Sequence, residues 1–400
     1  MLFRSAASTS TFSTNVSTLV ANVTGAGQTL TVTEDNGLVI GGGNVVTNNG
    51  AVSITAGNGG NGTLNGSGVI SAGTGSVTLA NPNGAITLNA VNNQIVGGAL
   101  SASARDSVTV NTSVASIAAA AGNAGNAAAN LTVNEATGLT INGATSAGGA
   151  IAITSGLFGA SNLNGPGVIN AATGNVALRN NSGAIVLNNQ PGQIVGNVLT
   201  VDALDTVDVT SKVTTINATA GVIGAGNAAA SLTVNELTGL GIAGATTTGG
   251  PISINSGLGG PSTLTGGGLI NAVTGNVSLR NASGGIAFNA VNNQIVGNVL
   301  TADALDSVSV NTSVGSLGIT AGVIGAGNAT ASITVNESTG LGINGVSSNG
   351  GPIVINSGLG GPSNLTGGGV INAVTGAVTL RNANGGITFN AVSNQIIGTV

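Results

Sequence analysis

Residues 276–288 read NVSLRNASGGIAF, and residues 377–389 read AVTLRNANGGITF. Within each short apolar run the middle residue changes, as at Ser278 and Ala287, whereas the apolar residues on either side stay the same. Successive side chains of a β-strand point to opposite faces. The alternation therefore predicts short strands whose constant residues face inward and whose variable residues face outward.

These segments belong to a repeat of 101 residues. Its clearest marker is a glutamate that recurs at intervals of 101, 101 and 101 residues, at Glu34, Glu135, Glu236 and Glu337. Residues 250–297 and 351–398 are identical at 39 of 48 positions. We divide the chain into four repeats of one continuous structure, at residues 1–97, 98–196, 197–297 and 298–398. We expect this structure to be a fragment of a longer chain.

The comparison of the third and fourth repeats assigns side chains to the interior. The positions predicted to face inward are Ile252, Ile254, Val277, Leu279, Ile286 and Phe288. The positions predicted to face outward are Ser253, Ser278 and Ala287. The Ala-rich stretch Ala118–Ala129 is interrupted by Gly122 and Gly125, so we interpret it as a loop or weak strand.

The composition excludes several classes of function. Of the 400 residues 70 are Gly and only 4% are charged, and there is no Cys, Trp, Tyr or His. The chain thus has no basic stripe or aromatic platform for nucleic acid and no thiol chemistry. No apolar run approaches the roughly 18 residues of a spanning helix. We predict no cofactor and no membrane span in this segment.

Two all-β architectures remain. Tandem β-sandwiches have repeats of similar length but normally need aromatic core anchors, and this chain has only 5 Phe. A parallel β-solenoid fills a narrow interior with small aliphatic side chains and turns on Gly and Asn. We favour a right-handed solenoid of about 20 coils, with five coils of roughly 20 residues or four of roughly 25 in each repeat.

A family resemblance accompanies this pattern. Residues 174–187, GNVALRNNSGAIVL, resemble filamentous-haemagglutinin-type exoproteins and autotransporter passengers in style, and the likeness extends over nearly the whole chain. It implies a right-handed β-helix shaft that serves adhesion, biofilm formation or toxin delivery. The secretion domain and the membrane barrel of those families are not visible. The first ten residues, MLFRSAASTS, lack the apolar core of a signal peptide.

Acidic pairs are the first candidates for chemistry. Asp202 and Asp205 recur one repeat later as Asp303 and Asp306, and paired carboxylates serve glycosidases. The second repeat has Ser103 and Asp106 at these places. Catalytic pairs are normally unique, and an i,i+3 pair in a strand faces opposite sides. We therefore interpret these acids as solvated corner residues or partners of Arg.

Repeated charged residues are the second group of candidates. The glutamates at 135, 236 and 337 stand beside Asn, a pairing that could supply oxygen ligands to calcium. The turn at residues 59–62 lacks the Asp of a calcium solenoid. We therefore interpret the glutamates as surface or turn-capping residues. The arginines at 179, 280 and 381 are expected to contribute solubility and register, with Asp of a neighbouring coil as a candidate partner.

Uncharged polar residues are the third group. Asn-rich turns are candidates for amide ladders along the shaft and equally for ordinary turn residues. The Thr-x-Thr pattern of residues 29–33 resembles ice-binding solenoids, but Thr33 is replaced by Asn134, Asn235 and Asn336 in later repeats, which argues against an ice-binding face.

We therefore predict no catalytic, cofactor-binding or metal-binding residues. The expected function is that of a structural rod in an adhesin-like bacterial protein, secreted or attached at the cell surface. A module that binds glycans or host proteins is the first alternative, although no aromatic-lined groove is visible in the sequence. A carbohydrate-active β-helix enzyme is the second alternative.

Overall fold

The computed structural model describes residues 2–5, 8–123, 125–222, 226–323 and 327–399. These residues form 39 β-strands and no helix, and the fold is a parallel β-solenoid of about 17 coils. None of the described residues belongs to a helix that could cross a membrane. Contacts divide the chain into two compact units, residues 1–200 and 201–400.

The strands of the first unit are short and follow one another at close intervals. They are β1 Leu2–Ser5, β2 Ser10–Thr14, β3 Thr18–Ala26, β4 Leu30–Glu34, β5 Leu38–Asn48, β6 Val52–Thr55, β7 Leu64–Gly66, β8 Ile70–Ser71, β9 Ser76–Asn81, β10 Ile86–Leu88, β11 Ile95–Ala104, β12 Val108–Ala121, β13 Leu131–Glu135, β14 Leu139–Ser146, β15 Ile151–Ser155, β16 Leu163–Asn164, β17 Ile169–Asn170, β18 Val176–Asn180, β19 Ile185–Leu187 and β20 Ile194–Val195.

One strand, β21 Val198–Ala203, includes residues of both units. The strands of the second unit are β22 Val207–Lys212, β23 Thr215–Ala220, β24 Leu232–Glu236, β25 Leu240–Thr247, β26 Ile252–Ser256, β27 Leu264–Thr265, β28 Ile270–Asn271, β29 Val277–Asn281, β30 Ile286–Phe288, β31 Ile295–Ala304, β32 Val308–Ala321, β33 Ile333–Glu337, β34 Leu341–Ser348, β35 Ile353–Ser357, β36 Leu365–Gly367, β37 Ile371–Asn382, β38 Ile387–Thr388 and β39 Ile396–Thr399.

Each coil of the first unit contributes strands to three columns, in which parallel strands stack in register. The first column contains Leu30, Val52, Val77, Leu100, Ile117 and Ile141. The second column contains Leu38, Leu64, Ile86, Val108 and Leu131. The third column contains Val45, Ile70 and Ile95. Stacked partners in these columns are 17 to 26 residues apart, which is the length of one coil.

One repeat does not contain a whole number of coils. Leu131 is the counterpart of Leu30 one repeat later, yet it stacks in the column of Leu38. Each repeat of 101 residues therefore covers four complete coils and one of the three faces of the next coil. A coil thus has about 23 residues. In the second unit, Ile333 likewise stacks in the column that begins at Leu240, although its counterpart is Leu232. The predicted solenoid is confirmed, with about 17 coils where about 20 were predicted and with between four and five coils in each repeat.

The interior is the stack of apolar columns that the sequence predicts. The six positions expected to face inward are at most 1% exposed, whereas Ser253 and Ala287 are half-buried and Ser278 is exposed. Each layer is covered by the coils on either side. The predicted strand register is confirmed.

Glycine permits the close approach of one coil to the next at the corners. A Cβ at Gly84 would overlap the carbonyl oxygen of Gly62, and a Cβ at Gly284 would overlap that of Ser262. Gly is the residue that tolerates such backbone contact. The Ala-rich stretch is strand as far as Ala121 and continues as turns. Residue 124 lies outside the described residues.

Candidate functional site

The repeated glutamates are buried inside the solenoid. Glu34, Glu135, Glu236 and Glu337 are each 0% exposed and end strands β4, β13, β24 and β33. The expectation of a surface residue was wrong, and the expectation of a turn cap is confirmed by their hydrogen bonds. The sequence could have revealed this burial. Each glutamate is the third inward position of its strand, two residues after an inward Val and four after an inward Leu or Ile, and it is constant in all four repeats.

Each buried carboxylate binds the preceding coil and its own turn at once. Oε2 of Glu135 accepts from Thr112 Oγ1 at 2.7 Å and from the Val114 amide at 3.0 Å. Oε1 accepts from the amide of Thr137 at 3.0 Å and from its Oγ1 at 3.1 Å. Glu236 and Glu337 make the same four contacts with their own neighbours. A buried charge is tolerated when its oxygens are satisfied in this way.

Two neutral side chains complete the internal bonding of each repeat. Gln94 is 0% exposed, and its Nε2 donates to the carbonyl oxygens of Gly66 and Gly68 at 2.7 and 3.0 Å. Its Oε1 accepts from the amide of Ala90 at 2.8 Å, which fixes the turn between these residues. Asn81, also buried, joins the carbonyls of Gly62 and Ala85. Sequence analysis used the glutamine as a repeat marker and missed its role.

Three of the four acidic residues of the two pairs accept hydrogen bonds from neutral side chains. Asp205 Oδ1 accepts from Asn227 Nδ2 at 2.7 Å, and Asp306 makes the same bond to Asn328 at 2.7 Å. Asp202 accepts from the hydroxyl of Thr219. The bonds of Asp205 and Asp306 join a corner residue to the loop of the following coil, whereas Asp202 and Thr219 both lie in strands. Among the described residues, no three or more Asp, Glu, His or Cys side chains are grouped as in a metal site.

The predicted ion pair between neighbouring coils is present at Arg280. Arg280 stacks on Asp303, and the Arg280 Nε lies 3.8 Å from Asp303 Oδ2. Partial burial raises the pKa of Asp303 above 3.8, and the nearby guanidinium opposes that shift. Both side chains are more than a third exposed, so the pair contributes little to stability. Arg179 donates from Nε to Asn181 Oδ1 at 2.6 Å.

Thr33 and Asn134 occupy equivalent positions in the repeat but do not lie in the same column of stacked residues. Thr33 stacks on Ser13 and Thr55, whereas its repeat counterpart Asn134 lies on another face. The outward hydroxyl row therefore continues over the first coils and is interrupted at Ala80, which stacks on Thr55. The substitution at residue 134 carries no information about this row.

Amide ladders are present at outward strand positions, whereas the prediction placed them in the Asn-rich turns. Asn134 Nδ2 donates to Asn111 Oδ1 at 2.9 Å in the first unit. In the second unit, Asn356 donates to Asn336, and Asn336 donates to Asn311, both at 2.9 Å. These rungs are the side-chain bonds expected of in-register amides.

The ladders form the floors of two shallow clefts. Cleft 1, in the first unit, has a volume of about 250 Å³ and is lined by Asn92, Asn93, Asn111, Asn134, Leu157 and Phe158. Cleft 2, in the second unit, has a volume of about 160 Å³ and is lined by the counterparts Asn292, Asn293, Asn311, Asn336, Leu359 and Gly360. No charged residue lines either cleft.

The chain was compared with protein-family models, with curated proteins and with solved structures, and none of them matches it. The chain is a parallel β-solenoid with an aliphatic interior and buried polar cross-links between coils.

Proposed function

We propose that this chain is a structural shaft, part of an adhesin-like bacterial protein that is secreted or held at the cell surface. The observation that supports it is the buried carboxylate of each repeat, which binds the preceding coil through a hydroxyl and an amide. Together with Gln94 and its counterparts, it links coils through side chains as well as strand pairing. Such cross-links are suited to a load-bearing spacer.

The proposal excludes catalysis. The most plausible acids, Asp202 and Asp205, each bind a neutral residue on a following loop or strand, and the same bond recurs at Asp306. A general acid or base must reach its substrate proton, and these carboxylates already accept hydrogen bonds from side chains of the following coil. We expect purified protein to hydrolyse or cleave no member of a polysaccharide panel. Turnover that disappears in Asp205→Asn would favour the carbohydrate-active alternative instead.

Shape and location provide the direct test. Purified protein should give the small-angle X-ray scattering of an elongated particle, and labelling of intact source cells with an antibody should detect it outside. A compact particle would contradict the shaft, and labelling only after lysis would contradict the surface location. A binding function is the second candidate, and cleft 1 is the observation that favours it.

A further inference from the structure

We infer that cleft 1 is a binding site for a neutral saccharide, and that cleft 2 is a weakened version of it. This inference deepens the proposed function, because it gives the shaft a ligand class. The evidence lies in the free hydrogen-bonding groups of the rim, in one exposed aromatic ring, and in the differences between the two clefts.

The rim of cleft 1 holds two carboxamides without partners. The side chains of Asn92 and Asn93 are exposed and make no hydrogen bond to the described residues. Their turn is nevertheless fixed, because the buried Gln94 accepts from the Ala90 amide, and Asn93 has a positive φ of 52°. Groups held rigidly before binding lose less entropy when a ligand arrives. The turn thus presents two unpaired amides to solvent from a fixed backbone.

The floor adds a third amide, that of Asn134, with hydrogen-bonding groups that are not occupied by the described residues. The side-chain amide of Asn111 is occupied, because its Nδ2 donates to the carbonyls of Asn89 and Val91 and its Oδ1 accepts from Asn134. Asn134 spends one N–H on that bond, and its Oδ1 accepts no hydrogen bond from the described residues. A carboxamide that both donates and accepts matches a hydroxyl group, which also does both.

The wall supplies the apolar surface. Phe158 is 64% exposed, the highest value among the exposed large apolar side chains of the described residues, and Leu157 beside it is 40% exposed. An aromatic face next to a few oriented polar groups is the usual construction of a small-ligand site. A sugar ring has C–H groups for the phenyl face and hydroxyls for the amides. The absence of charged residues from the lining disfavours acidic sugars and phosphates.

Cleft 2 lacks two of these features. Gly360 takes the place of Phe158, and Asn336 Oδ1 is occupied by the Nδ2 of Asn356. The counterpart of Asn356 in the repeat that holds cleft 1 is Thr154, which stacks on Asn134 without bonding to it. Cleft 1 therefore has the open acceptor and the aromatic face together, so a single dominant site is expected in the chain.

The experiment uses the full chain and two variants that copy residues already present in other repeats. Phe158→Gly removes the aromatic face, and Thr154→Asn supplies the amide that would occupy Asn134 Oδ1. The probes are immobilised maltotriose, cellotriose, mannotriose, galactotriose and chitotriose, with trigalacturonate and a heparin tetrasaccharide as acidic probes. Leu258→Gly, which removes a 46% exposed apolar side chain of the second unit, is the control.

The expected result is binding of at least one neutral trisaccharide in preference to both acidic probes. Its affinity should fall at least tenfold in Phe158→Gly and in Thr154→Asn and stay unchanged in Leu258→Gly. Circular dichroism should show that all variants keep the strand content of the parent chain. The inference is wrong if no neutral probe binds, if the acidic probes bind as well, or if neither variant weakens binding. Such a failure leaves the scattering test of the shaft unaffected.

Discussion

Replacement of the buried carboxylate of Glu135 by a carboxamide tests whether these charges hold the coils together. The variant Glu135→Gln keeps the shape of the side chain but offers one oxygen where two are needed. The two carboxylate oxygens accept from the backbone amides of Val114 and Thr137, respectively. One of these amides would therefore face an NH2 group. The hydroxyl of Thr112 can rotate, but a backbone N–H cannot become an acceptor.

The expected loss follows from these contacts. A buried N–H left without an acceptor costs about 1–3 kcal/mol, and bonds to a charged acceptor are stronger than bonds to a neutral one. The carboxamide has a smaller desolvation penalty than the buried charge that it replaces, and this difference opposes the loss. We expect a net local destabilisation of about 2 kcal/mol, which corresponds to about 30-fold faster hydrogen exchange.

The assay is amide hydrogen exchange at Val114 and Thr137, followed by mass spectrometry or NMR, with the thermal unfolding midpoint as a second measurement. The matched control is Asp35→Asn, which removes the same charge from an exposed side chain and should change neither quantity. The reasoning would be refuted by a Glu135→Gln protein whose two amides exchange as slowly as those of the parent chain. The buried charge would then be tolerated without stabilising the fold.

Three further substitutions test other features. Val273 has a φ of 55°, where the first repeat has Gly73, so Val273→Gly should raise the unfolding free energy by about 0.5–1 kcal/mol in a denaturant titration; a lower value would contradict strain at this turn. Ser256 is buried with an unpaired hydroxyl, so Ser256→Ala should stabilise by about 1 kcal/mol and raise the melting temperature; a lower melting temperature would reveal a partner for the hydroxyl. The pKa of Asp303 is raised above 3.8, chiefly by burial and against the effect of Arg280. Protonated Asp303 therefore contributes fully to the stability of the fold below pH 3.8, and this contribution is lost as the pH rises through the raised pKa. Asp303→Asn should remove that part of the pH dependence of stability, and an unchanged dependence would refute the assignment.

The buried positions could be predicted because they follow from local geometry. The alternation of one residue in and one residue out is a property of every strand, and it identified Ile252, Ile254 and Phe288 as interior residues. The aliphatic composition and the scarcity of aromatic side chains then favoured a thin, layered core over thick sandwiches. The fold class was therefore accessible from the sequence.

The candidate sites were predicted less well, because the side chains that form them come from different coils. Asn92, Asn134 and Phe158 are separated by 42 and 24 residues in the chain and meet at one cleft. The repeat also led to a wrong prediction about the threonine row. It suggested that Asn134 replaces Thr33 in that row, although the two residues lie on different faces. Asp205 was recognised as a corner residue, but its partner Asn227 was not.

The sequence by itself determined that the chain is built of short strands, which side of the compared strands faces inward, and that the pattern recurs every 101 residues. Only the tertiary structure decided the length of the coil, the advance of one face with every repeat, and the burial of Glu135. The physical reason is that strand alternation depends on neighbouring residues alone. Coil closure depends on how every corner turns, and a glutamate can be buried only where the preceding coil brings donors to it.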